Sequence, residues 1–253
     1  MFERSASTEA GADGVPIEMP RKAATRATAP AKPASAATVS GIPQDLVELS
    51  LKACLIARDA AFNVRDLLMN SSQMAFLAIK DCEKELDRME REIDELLPAA
   101  ITRVNEARAR QLLASLKCTT NLERIGDLVM SVALRSQSRT AKLPPSDLRQ
   151  LVDMSTILRD MLDLIHKGFV TLDLECARQV LQMDKDVDKL CHSLFQKHLA
   201  ENVPQGDLTA FEILLMAQAL ERAGDHATNL AEDLYSLIEG RSLRHMPKKR
   251  AAP

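Results

Sequence analysis

The chain has 253 residues, with 33 Lys plus Arg against 36 Asp plus Glu and a formal net charge of -3, so as a whole it lacks the positive field that holds nucleic acid. Aromatic residues make up 3%, with no Trp and one Tyr, while Ala, Leu, Met, Arg, Glu and Asp dominate, which favours helices and starves a β-sandwich. The length supports a sizeable core, excluding a disulfide-stapled mini-protein; there is no apolar run of about 18 residues and no basic, apolar, small-residue leader. A soluble, non-secreted, all-α protein is the expectation.

Residues 1–42 hold Pro16, Pro20, Pro30 and Pro33 among Ala, Thr, Ser and Gly, too few large apolar side chains to offset chain entropy, and are predicted to be a disordered tail. With Arg21, Lys22, Arg26 and Lys32 there, and Lys248, Lys249 and Arg250 in a second tail over 246–253, both ends are weakly basic. Between them Pro98, Pro144, Pro145 and Pro204 fall where apolar repeats stop, as expected of prolines that punctuate helices. Six helices follow: about Asp45 to Met69, Ser71 to Leu97, Thr102 to Ser136, Asp147 to Thr171, Leu174 to Ala200, and Asp207 to Glu239. Asn70 with Ser71, Ser146 and Asp207 are the expected boundary or cap residues, and Gly240 the stop.

Long helices joined by short connections lie antiparallel to bury their apolar stripes. The simplest partition is two three-helix bundles, 43–141 and 142–245, joined at Leu143-Pro144-Pro145. Met69, Met74, Met89, Met154, Met161 and Met216 are read as core filling. Cys54, Cys82, Cys118, Cys176 and Cys191 form no CxxC pair and are read as reduced, packed thiols.

Leu122-Glu123-Arg124-Ile125-Gly126-Asp127-Leu128 recurs 98 residues later as Leu220-Glu221-Arg222-Ala223-Gly224-Asp225-His226. One helix earlier, Glu83-Lys84-Glu85-Leu86-Asp87 recurs after 101 residues as Asp184-Lys185-Asp186-Val187-Asp188. Two motifs repeated in the same order indicate an internal duplication. All four segments place an acid four residues before an Asp, and positions i and i+4 lie only about 40° apart around a helix, so each pair points one way.

Glu83 and Asp87 fall within the arc of Phe76, Ile79, Leu86, Ile93 and Leu97, and Asp184 and Asp188 among Val180, Val187, Cys191 and Phe195. Carboxylates in an apolar stripe lose hydration and call for a positive partner. Glu221, Asp225, Asn229 and Glu232 instead form a stripe away from Leu220, Ala223, Leu230 and Leu234, which simple solvation also explains. Three explanations stand side by side: internal ion pairs with Arg124 and Arg222, a bound metal, or a wet acidic face. Clustered carboxylates without Cys suit hard ions such as Mg, Mn or Fe, with His226 the one nearby imidazole. Gly126 and Gly224, each costing about 1 kcal/mol in a helix interior, point to a helix approaching too closely for a Cβ.

The duplicated LERIGD and LERAGDHATNLAEDLYSLIEGRSLRH segments, each preceded by its acid-xxx-Asp helix, resemble the PhoU family of phosphate-signalling proteins over roughly Leu46 to His245. That resemblance implies two similar three-helix bundles with multinuclear metal clusters. It implies a cytoplasmic protein, often a homodimer, at most peripheral to the inner face of the membrane through partners. It also implies negative regulation of phosphate uptake and of the phosphate-starvation response, linking a phosphate ABC transporter to a sensor histidine kinase. The first repeat departs from the signature, with Ser131 where Asn229 aligns and Leu134 where Glu232 aligns, so its cluster is expected to bind metal more weakly. A metal store or a carboxylate-metal enzyme would share the fold. Against an enzyme, the segments hold no Glu-x-x-His pair, Gly-rich phosphate loop or nucleophile elbow.

Overall fold

The computed structural model describes residues 36–138, 142–200 and 208–240. Expectations for 1–35, for Asp207 as a cap and for the basic tail at 246–253 lie outside them. The described residues form α1 (Ala36–Asn70), α2 (Gln73–Ile101), α3 (Glu106–Ser138), α4 (Pro145–Thr171), α5 (Leu174–Ala200) and α6 (Leu208–Glu239), with no strand among them. The fold is all-α, two tandem three-helix bundles: α1–α3 and α4–α6.

The bundles meet through their inner helices, α1 against α4 and α3 against α6, so that α2 and α5 are outermost. Small residues explain the position of α1: Ala53, Ala57, Ala60, Ala61 and Val64 are all buried and recur at helical spacing, which lets α4 approach. Cys54 Sγ donates to the Leu162 carbonyl at 3.4 Å, and Arg58 pairs with Asp163 at 3.2 Å. On the α3–α6 side, Arg135 pairs with Glu212 at 3.2 Å. One apolar core therefore runs through both bundles, from Leu86 and Met89 on α2 to Val180 and Val187 on α5. A smaller cluster, Leu46, Ile93, Leu97, Ala100 and Leu112, closes the end of the first bundle.

Helix ends follow local chemistry. Ser72 Oγ accepts from Ala75 N at 3.2 Å and caps α2, and Asn105 Oδ1 accepts from Arg108 N at 3.0 Å ahead of α3. Helix α4 begins at Pro145, two residues before the expected Asp147: Pro144 is its N-cap and Pro145 takes the first turn, where a missing N–H forfeits no helical bond. Ser146 does not cap; its hydroxyl donates to Asp147 Oδ1 at 3.2 Å. Gly240, with φ +70, ends α6 as expected.

Pro98, expected to end a helix, does not. Helix α2 continues through Pro98 to Ile101, because burying Leu97 and Ala100 against Leu46 and Leu112 offsets the one lost bond. As a result α3 starts at Glu106 instead of Thr102. Helix α1 begins at Ala36, not Asp45, and passes Pro43.

The turn after α4 is strained. Leu172 has φ 52 and ψ 44, the left-handed region, and is 58% exposed. A β-carbon there costs roughly 1–2 kcal/mol, a penalty glycine escapes at the expense of unfolded-chain entropy. Leu172→Gly is therefore expected to stabilise the chain by about 0.5–1 kcal/mol, seen as a higher Tm; a lower Tm would contradict the strain.

Candidate functional site

In the second bundle α5 and α6 touch where Gly224 faces Asp184 and Val187. A Cβ at Gly224 would lie 3.2 Å from Asp184 Oδ1 and 3.6 Å from Val187 Cγ1. The close approach brings Asp184 and Asp188 of α5 to Glu221 and Asp225 of α6. Asp184 Oδ1 is buried and accepts no hydrogen bond. Burial, then Asp188, Asp225 and Glu221, push the Asp184 carboxyl up to about 6. Glu221 is also raised, by burial and then Asp225 and Asp188. Burial and then Asp188 raise Asp225, against Arg222 and His226. No Lys or Arg nitrogen among the described residues pairs with any of these four acids, and Arg222 is exposed beside them.

The first bundle repeats the arrangement with a different outcome. A Cβ at Gly126 would lie 2.7 Å from Leu86 Cδ1 and 3.9 Å from Glu83 Cα, so α2 and α3 press together at the same point of the motif. Glu83 and Asp87 are half-buried on α2, Asp127 is exposed on α3, and Glu123 is 8% exposed. Burial, then Asp127 and Glu90, push Glu123 up to about 7, with Arg124 opposing and Asp87 adding to the rise. Here guanidinium groups enter: Arg124 lies 3.3 Å from both Glu123 Oε2 and Asp127 Oδ2, and Arg91 is 2.9 Å from Asp87. Guanidinium groups thus reach Asp87, Glu123 and Asp127 of the first cluster, where Glu123 Oε2 still lacks a hydrogen-bond partner, whereas among the described residues none pairs with the second. Glu90, three residues after Asp87 on the same face of α2, joins the first cluster; continuing the i, i+4, i+7 series from Glu83 would have found it.

Between the clusters, His226 of α6 meets Asn121 of α3, Nδ1 to Oδ1 at 3.0 Å. Burial and then Arg222 hold the imidazole below its usual range, and Arg124 adds to that. Both repeat arginines thus act on one imidazole at the α3–α6 seam. Asn229 and Glu232 stand one and two turns beyond Asp225 on α6, half-buried. Glu232 is not among the charges acting on Asp184, Glu221 or Asp225.

Among the described residues, no three His, Cys, Asp or Glu side chains stand together as a ready-made metal site. The donor chemistry of the second cluster nevertheless fits a hard cation: four carboxylates from two helices, one with an orphaned buried oxygen, and no internal counter-charge.

A family model described as PhoU domain matches residues 51–136 and 151–234. An uncharacterised protein of Deinococcus radiodurans is 32% identical over 160 residues, 62% of this chain and 58% of that protein. Phosphate-specific transport system accessory protein PhoU homolog 1 of Thermotoga maritima is 27% identical over 172 residues, 66% of this chain and 74% of that one. In fold, the crystal structure of PhoU from Pseudomonas aeruginosa is similar with a TM-score of 0.74 at 22% identity, covering 80% of this chain and 99% of that chain.

Proposed function

The chain belongs to the PhoU family, and from that premise we propose that it is a phosphate-transport accessory protein that represses phosphate uptake and the phosphate-starvation response. It acts as an adaptor between a phosphate ABC transporter and a sensor histidine kinase, as a cytoplasmic homodimer held at the inner membrane face by its partners. The observation that carries this is the family match, which falls on both repeats and therefore on both acidic clefts. Supporting it, the helices share one continuous core, a stiff platform on which the clefts keep fixed positions. No described helix is long and apolar enough to cross a membrane. An adaptor needs surfaces and no substrate chemistry.

Deleting the gene tests this. Phosphate-regulon genes should be expressed constitutively in phosphate-rich medium and be silenced again by the full chain supplied in trans. Unchanged expression on deletion would overturn the adaptor role.

A divalent ion, Mg, Mn or Fe, belongs to the same proposal. In the second bundle Asp184, Asp188, Glu221 and Asp225 would hold it, and it would supply the positive charge that joins α5 to α6. In the first bundle Glu83, Asp87, Glu123 and Asp127 would hold it more weakly, because Arg124 and Arg91 already occupy that charge. An ion at about 100 times its Kd stabilises the fold by about 2.7 kcal/mol. EDTA should therefore lower the Tm of the wild-type chain and of Asp127→Ala, and leave Asp225→Ala nearly unmoved. Elemental analysis finding no metal, together with no EDTA effect, would defeat the metal role.

A further inference from the structure

The seam between the bundles has one filled end and one hollow end. Helices α3 and α6 run antiparallel there, since Asn121 meets His226 while Arg135, further along α3, meets Glu212, earlier on α6. The 98-residue offset of the duplicated motif aligns Ser115 with Ile213 and Cys118 with Met216. Ile213 and Met216 have no solvent exposure and belong to the core. Ser115 and Cys118 are smaller, and beside them a cavity of about 250 Å3 opens among α1, α3, α4 and α6, near the ends of α4 and α6. Its volume is that of about eight water molecules in the liquid.

The lining grades from a polar floor to an apolar mouth. Ser50, Ser115 and Cys118 are each at least nine-tenths buried and form the floor. The Ser115 hydroxyl makes no hydrogen bond among the described residues; the Thr119 hydroxyl takes the Ser115 backbone carbonyl instead. Ser50 Oγ donates to the Val47 carbonyl at 2.9 Å, which leaves its lone pairs to accept. Leu51, Phe169 and Leu237 make the walls, and Val170 and Leu172, both more than half exposed, stand at the mouth. The one charged side chain among the described lining residues is Arg108, whose guanidinium donates to Gln111 Oε1 at 2.7 Å.

We propose that this inter-bundle cavity is a binding site for a small uncharged amphipathic molecule, a short-chain alcohol or amide, with its polar head on Ser115 and its apolar body against Phe169 and Leu237. Nothing on the floor balances a charge, so an ionised head would lose its hydration without return. Water satisfies the floor but not the walls: a buried water needs two to four polar partners, and an apolar group that displaces poorly held water gains affinity. The site uses none of the acids assigned to the divalent ion and stands independently of the adaptor role.

The test is isothermal titration calorimetry of the full chain with 1-hexanol, and with hexanoate at pH 8 as the charged control. Hexanol should bind saturably and raise the Tm, and hexanoate should not bind. Ser115→Ala keeps the space and removes the partner of the head, so it should weaken hexanol about fivefold. The double variant Ser115→Ile with Cys118→Met gives the first repeat the side chains of the second. It should fold with an equal or higher Tm and bind no hexanol. Hexanol binding that survives in this folded double variant overturns the cavity as the site. Absence of saturable binding by wild type means that water alone fills the space and overturns the proposal. Ser115→Ala folds whether or not the larger side chains are accommodated, and equal hexanol affinity in it and in wild type overturns the placement of the head. Hexanoate that binds as tightly as hexanol, and is lost in Arg108→Gln, overturns the uncharged occupant.

Discussion

Lys197→Met is expected to destabilise the protein by about 3 kcal/mol, lowering Tm by about 10 °C. The reason is Asp147, a carboxylate with no solvent exposure in the first turn of α4. Lys197 of α5 donates to its Oδ1, and His198 Nε2 sits 3.0 Å from Oδ2. Lys197 also donates to Ser146 Oγ at 2.9 Å. Burying a charge is tolerable only while its partner is present, so removing the ammonium strands the carboxylate at a cost larger than the pair itself is worth. The double variant Asp147→Leu with Lys197→Met should recover most of the loss, since nothing charged is then left in the interior. Thermal melts of the two variants decide it: a double variant no more stable than Lys197→Met would show that the carboxylate is not what suffers.

Neither this clasp nor the other ties between helices can be seen in the sequence. Asp147 and Lys197 are 50 residues apart, and Asn121 and His226 are 105 apart; no local period links them. What the sequence does carry is periodic or repeated: six helices in order, α5 to the residue, the duplicated motifs, and glycines marking where the outer helices press on their neighbours. Pro98 misleads because a helix tolerates one missing donor when burial beyond it, at Ala100, is sufficient. Gly168 gives no signal either. It lies outside the repeated motif, and only the fold brings Leu234 and Cys176 against the place where its Cβ would be. The acids of the two clusters could be placed on shared faces from their i, i+4 spacing. Which cluster is paired internally could not, because Arg124 and Arg222 occupy equivalent positions in the motif and only Arg124 reaches its acids.

Burial, common to both clusters, sets the pH response. Glu123 has its carboxyl pushed up to about 7 from an ordinary value of 4.5, chiefly by burial, and Asp184 is pushed up to about 6 from 3.8 for the same leading reason. A carboxyl with a higher pKa folded than unfolded binds its proton more tightly in the folded state. Such a group imposes no penalty below the unfolded value, and stability falls as pH rises through the interval up to the folded value. For Glu123 the interval runs from about 4.5 to about 7, and above it the penalty is complete. Each pKa unit corresponds to about 1.4 kcal/mol, and allowing for water at the cleft mouth leaves about 1–2 kcal/mol for Glu123. Glu123→Gln keeps the shape without the charge. In EDTA it should match wild type in urea unfolding at pH 4.5 and exceed it by about 1–2 kcal/mol at pH 8. A divalent ion should stabilise both chains through the second cluster and close part of the gap at pH 8 through the first cluster, which only wild type keeps intact. Identical offsets at both pH values would mean that Glu123 titrates alike folded and unfolded, and that its burial among Asp87, Glu90 and Asp127 costs nothing.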